Sequence, residues 1–221
     1  MASLQIPEVI PIFPLPGTVL LPSEVLPLHV FEPRYRQMVR DSLDGSRVIG
    51  ITQLNKGYES SYYEQPGVNP VGCAGVIAQH QSLPDGRYLI VLVGAQRFRI
   101  NREVEASTLY RQVRVDHCPM QASPQERQGV MELRQGLVHE LPILLAQLRG
   151  ESVNENDLHK LDDNQLVAIA SQILQLDPGE KQQMLEAETI IDRYVTLHEA
   201  LNTARMAFGY ARSQVDPSTL N

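Results

Sequence analysis

Short apolar runs closed by proline or glycine fill the first half of the chain, and apolar residues at helical spacing fill the second. Val9 to Phe13 reads as a strand that turns at Pro14, Pro16 and Gly17. Val25 to Phe31 is a second apolar run, and Pro33 opens a short helix to Leu43 with Tyr35, Met38, Val39 and Leu43 on one side. Proline removes a backbone donor and fixes φ, so this opening cannot be a single helix or a single central strand. Arg47 to Leu54 has strand composition, and Asn55 to Asn69 reads as a polar loop. Val71 to Gln79 is a strand whose glycines admit close backbone approach. The turn Leu83-Pro84-Asp85-Gly86 leads to Tyr88 to Val93, which Gly94-Ala95 is expected to break. Arg97 to Arg102 and Tyr110 to Cys118 alternate with period two. Strands this short, with turns about every ten residues, predict a barrel or sandwich.

The pattern changes after Cys118. Ser123, Pro124 and Glu126 form a helix-start signal. Val130, Leu133, Leu137, Leu141, Leu144 and Leu148 then recur at three and four residues as far as Gly150. Pro142 is expected to kink or divide that helix. Leu158 and Leu161 suggest a short helical turn. Asp162 with Gln165 caps another helix, Asp177 to Glu180 caps a further one, and a final stripe runs from Ala187 to Ala204. The expected fold class is α+β: a barrel with one short helix over residues 1–118, a helical bundle over 119–212 and a flexible tail at 213–221.

Charge sharpens the division. Residues 1–118 carry 11 basic and 11 acidic side chains, ten of the bases being arginine; the remainder carries 8 and 15, which supplies the whole −7. A nucleic-acid binder usually shows a basic stripe, and no such excess exists here. The first residues lack a basic segment followed by a long apolar core, and no run can span a bilayer, so a cytoplasmic protein without membrane contact is expected. Cys73 and Cys118 read as reduced thiols.

The segments FPLPGTVLLP and LPLHVFEPRYRQMV at the start, GCAGVIAQHQSLPDGRYLIVLVGAQRFRI at Gly72 to Ile100, and LVAIASQILQLDPGEKQQMLEAETIIDRYVTLHEAL at Leu166 to Leu201 carry a family resemblance. In order and spacing they resemble the amino-terminal, substrate-recognition domain of Lon proteases, a PUA-like module. The resemblance implies a PUA-like barrel followed by a helical part. It also implies a non-enzymatic module for unfolded or extended polypeptides, or an adaptor for a protein partner.

The residues argue against catalysis. A Walker A loop needs lysine after glycine and before Ser or Thr. Lys56, Lys160 and Lys181 follow Asn55, His159 and Glu180. Nothing resembles a serine–lysine protease motif, a G-x-S-x-G elbow or H-E-x-x-H. The six histidines lack metal-ligand spacing. No cofactor, metal or catalytic residue is therefore expected. The candidate recognition surface comprises Leu15, Pro16 and Leu21 of the opening loop, Glu32, Arg34 and Tyr35 at the strand-to-helix junction, and the tyrosines Tyr62, Tyr63 and Tyr88. Shallow apolar contacts with strand-edge hydrogen bonding would hold the polypeptide. For Glu32, Arg34 and Tyr35 the rival reading is an ion pair and cap anchoring the helix, with Arg97 or Arg99 nearby. RNA binding, as in other PUA-like barrels, and a small ligand held between barrel and bundle are the alternatives. Association of copies is left open.

Overall fold

Apolar strands with polar turns bury their side chains best by closing on themselves, and five of this chain's six strands do so. The computed structural model describes residues 6–62, 64–118 and 122–214, the side chains of 208–214 apart. The strands are β1 (Val9–Leu15), β2 (Val25–Val30), β3 (Val48–Gln53), β4 (Val71–Ser82), β5 (Tyr88–Val104) and β6 (Gln112–His117). Their order is β2-β5-β4-β3-β1-β6, with β5 pairing β6 as well. The β5–β6 pairing closes a ring through β4, β3 and β1, and leaves β2 as an extra strand on the first half of β5. Only β1–β3 is parallel. Helix α1 (Pro33–Asp44) buries Tyr35, Met38, Val39 and Ser42. Ile6, Ile10, Ile12, Val48, Ala74, Phe98, Val113 and Val115 form a buried core cluster. Phe98 fits there because Gly50 and Gly72 face it: a Cβ on either would lie within 2.9 Å of its ring.

β5 does not break at Gly94-Ala95 as the sequence suggested. The strand runs straight through, with a register shift opposite Ala74/Gly75. Gly94 is there because the Leu20–Glu24 segment crosses it. A Cβ on Gly94 would meet the Leu21 carbonyl oxygen at 2.1 Å. Ser23 N–H donates to Gly94 O, and Gly94 N–H donates to Glu24 O, each at 2.8 Å. The glycine is a contact rather than a stop.

The chain divides into two compact units, Met1–Pro119 with Lys181–Glu186, and Met120–Glu180 with Ala187–Asn221. In the first unit Arg97 Nη1 donates to Leu185 O at 2.6 Å, Gln182 Nε2 donates to Val71 O at 3.1 Å, and Lys181 pairs with Glu24. The second unit contains α2 (Arg127–Arg149), α3 (Glu155–His159), α4 (Asp163–Ile173) and α6 (Ile190–Gln214). Helix α5 (Pro178–Glu186) contributes its first residues to the second unit and its last six to the first. Pro142 does not divide α2, which continues to Gly150. Asp162 and Gln165 cap α4 reciprocally. Asp163 instead accepts hydrogen bonds from Arg134 at 3.0 Å and from Tyr194 at 2.6 Å, joining α2, α4 and α6. Burial, then the hydrogen bond to Asp163, raises the pKa of Tyr194 far above the ordinary tyrosine range. Of the expected tail, residues 215–221 lie outside the described residues.

Candidate functional site

Glu32, Arg34 and Tyr35 are brought together where β2 runs into α1. Pro33 occupies the first turn of the helix, and the Glu32 carbonyl accepts from the N–H groups of Tyr35 and Arg36. The Glu32 carboxylate makes no cap hydrogen bond. It accepts from Arg34 Nε at 3.0 Å and from the Tyr62 hydroxyl at 2.8 Å. The Arg34 guanidinium lies 4.5 Å from the Tyr35 ring centroid and 5.0 Å from that of Tyr62, and Nη1 reaches Tyr62 O. Tyr35 is 4% exposed and stacks 4.1 Å from Phe13. Arg97, expected near this group, instead bonds Leu185 O.

The electrostatics follow from that closure. Burial pushes the Tyr35 phenol far above its usual range, with Arg34 opposing. Burial works against the Arg34 cation, but Tyr35, Glu32 and the hydrogen bond to Glu32 outweigh it, so its pKa rises. Tyr62 is raised by burial and then by its bond to Glu32. The charges and hydrogen bonds are turned inward on one another, which anchors α1 and the Tyr58–Ser61 turn. Beside this network a cavity of about 700 Å³ is lined by Arg34, Tyr35, Glu64, Glu103, Tyr110 and Arg111. Its second arginine is also engaged, pairing with Glu103 and donating to Pro66 O.

The opening loop differs from expectation. Leu15 is half-buried and Pro16 exposed, but Leu21 is 0% exposed. Leu21 is corrected to a core residue, because Gly94 lets its segment pack under the sheet. Tyr88 is half-buried, opposite Val30. Tyr63 lies outside the described residues.

A surface the sequence reading missed lies on β2 and β5. Val25, Pro27 and His29 stand opposite Val93, Val91 and Leu89, so these six side chains share one face. Val25 is 53% exposed, Leu89 42% and Phe31 59%, and the Phe31 ring lies 5.9 Å from His29. The strip is apolar on most of its length and faces solvent. The Gly94 N–H to Glu24 O bond sets the phase of the β2–β5 ladder, so Val25, Pro27 and His29 turn their backbone groups away from β5. Pro27 therefore removes the middle donor from the free edge of β2. Among the described residues no group of three or more His, Cys, Asp or Glu could hold a metal, and no helix is long and apolar enough to cross a membrane.

Residues 9–203 match the model of the ATP-dependent protease La (LON) substrate-binding domain. The chain is 26% identical to a Lon protease of Dictyoglomus thermophilum over 190 residues, and 25% identical to Lon protease 1 of Herpetosiphon aurantiacus over 206. These alignments cover 86% and 89% of this chain but 24% of each relative, so it spans about a quarter of their length. Among solved structures, the N-terminal domain of a Mycobacterium avium complex Lon protease superposes with a TM-score of 0.68 at 18% identity. That superposition covers 88% of this chain and 98% of the other. A Lon N-terminal domain protein from Xanthomonas campestris gives 0.58 at 22% identity, covering 86% and 97%. These likenesses establish the α+β fold.

Proposed function

Because the chain belongs to the LON substrate-binding domain family, we propose that it is a non-enzymatic polypeptide-recognition module whose contact surface is the outer face of β2 and β5. The observation that carries this reading is the exposed strip formed by Val25 and Leu89 on paired strands and by Phe31 just past the end of β2. Unfolded or extended segments expose apolar side chains and gain by covering such a strip. Pro27 breaks the donor row of the free edge, so side-chain contacts, rather than a continuous added strand, hold the polypeptide. A folded partner docking through an extended segment would use the same face, which is the adaptor form of the reading. The Glu32–Arg34–Tyr62 network is spent on its own hydrogen bonds and takes no part in this contact surface.

The test is fluorescence anisotropy with a labelled, permanently unfolded polypeptide and a labelled single-stranded RNA, each at low and moderate salt. Saturable polypeptide binding that tolerates salt is expected, weakened about tenfold by Phe31→Asp or Leu89→Asp. RNA binding that falls steeply with salt, without polypeptide binding, would refute the proposal.

A further inference from the structure

The exposed side of α1 holds a second cavity, of about 490 Å³, whose walls include Arg36, Gln37, Arg40, Gly86, Tyr88 and Leu109 and no acidic side chain. Arg36 and Arg40 are one helical turn apart and face the same way, so they repel one another unless an anion lies between them. Among the described residues no ion pair involves Arg36. Its guanidinium rests on the hairpin turn, where a Cβ on Gly86 would lie 2.1 Å from Nη2. Neither nearby carboxylate lines the cavity, and each already has a partner, Asp41 pairing with Arg40 itself. Asp85 pairs with Arg87 at 2.6 Å, and Asp41 lies 3.5 Å from Arg40 Nε while accepting from the Tyr110 hydroxyl. Gln37 Oε1 accepts from Leu109 N–H at 3.1 Å, which leaves the Gln37 amide N–H groups as donors. Two guanidinium groups, an amide and the Tyr88 phenol thus converge beside the exposed, apolar Leu109.

We propose that this cavity is a carboxylate subsite of the polypeptide-binding surface. The proposal rests on the polypeptide reading above. Pro33, two residues past Phe31, lines the cavity together with Tyr88, which precedes Leu89 in β5, so the cavity borders the Phe31 and Leu89 end of the two strands, although Tyr88 itself faces away from the strip. A polypeptide lying along β2 and β5 would place a carboxylate here, from its own C-terminus or from an Asp or Glu side chain. A carboxylate fits better than a polyphosphate chain. The cavity offers two arginines, and residues 1–118 balance 11 basic with 11 acidic side chains, so no field gathers a polyanion.

The experiment compares fluorescein-labelled Leu/Phe-rich hexapeptides against the full chain by anisotropy: one with a free C-terminus, one amidated, and one amidated with a glutamate near its end. A single-stranded RNA serves as competitor. The expected result is about tenfold tighter binding of at least one carboxylate-bearing peptide than of the plain amide. Arg36→Gln should abolish that preference while leaving amide binding unchanged, and Arg36→Lys should keep part of it. The preferred peptide identifies the source of the carboxylate, and either source supports the subsite. Equal binding of acid and amide peptides overturns the subsite and leaves polypeptide recognition standing. If no peptide binds, the polypeptide reading fails. The subsite is then decided by whether N-acetyl-leucinate shifts the Arg36 Nε–Hε NMR signal: a shift supports it and an unmoved signal overturns it. RNA that displaces every peptide at moderate salt overturns it in favour of phosphate.

Discussion

Replacing Gly94 with alanine should cost far more than a glycine-to-alanine change in a strand ordinarily does. The added methyl would lie 2.1 Å from the Leu21 carbonyl oxygen and 2.9 Å from its carbon. Both atoms are backbone, so the Leu20–Glu24 segment must move as a whole. Movement disrupts Ser23 N–H to Gly94 O and Gly94 N–H to Glu24 O, at about 1 kcal/mol each. It also loosens Leu20 and Leu21, which are 1% and 0% exposed, at about 1–3 kcal/mol for a forced repacking. A total near 4 kcal/mol corresponds to a fall in Tm of roughly 10 °C for a chain of this size. Thermal unfolding by circular dichroism measures the shift, and hydrogen exchange at the Ser23 amide localises it. Gly17→Ala is the control: φ is +57° there, with nothing within 4 Å of the new Cβ. It should cost only the backbone strain, about 1 kcal/mol. A Gly94→Ala protein within 2 °C of wild type would refute the buried placement of Leu21, and the opening loop would again be a candidate binding surface.

Further outcomes follow from the same contacts. Tyr110 has its pKa pushed up to about 12 by burial and then by its hydrogen bond to Asp41. Its folded-state value exceeds the ordinary 10.0, so its contribution to stability is whole below about pH 10 and is lost as pH rises through 12. Absorbance titration at alkaline pH should show Tyr35, Tyr62, Tyr110 and Tyr194 ionising late, and ordinary ionisation of all four would contradict their placement. Arg97→Ala should destabilise the β-rich unit by about 2 kcal/mol, because it strips the Leu185 carbonyl of its donor inside the structure; denaturant unfolding reads this. Glu32→Gln should cost less than about 1.5 kcal/mol in the same assay and leave polypeptide affinity unchanged, since Glu32 is spent on Arg34 and Tyr62. A tenfold affinity loss in that variant would return the polar junction to the binding surface.

The helical half was legible where capping chemistry marks it. Asp162 with Gln165 reads as a cap in the sequence and is one in the structure. The end of α5 was not read, because no glycine or proline falls between Gly179 and Gly209. The available signal there was Thr189 followed by Asp192, whose side chains and N–H groups bond one another at the start of α6. In the barrel, apolar runs, with period-two alternation at Arg97 to Arg102 and Tyr110 to Cys118, identified the strands but hid the pairing partners. Glu32 meets Tyr62 thirty residues away, and no local pattern encodes that meeting. Gly94 was ambiguous by nature, since a strand glycine marks either an interruption or a close approach. The outer face of β2 escaped notice because VLPLHV is apolar at nearly every position, which leaves no alternation to show which side meets water. Pro27 held the missing clue, as proline inside a strand points to a free edge.

The most direct test of the account is a methyl and aromatic NMR titration of the full chain with a permanently unfolded polypeptide. The signals of Val25, Phe31 and Leu89 should shift together and saturate, while those of Leu21, Ile12, Val104 and Tyr110 stay in place. Shifts confined to Ile12, Val104, Tyr110 and the other walls of the 700 Å³ cavity, with Val25, Phe31 and Leu89 unmoved, would contradict the assignment of the surface to β2 and β5.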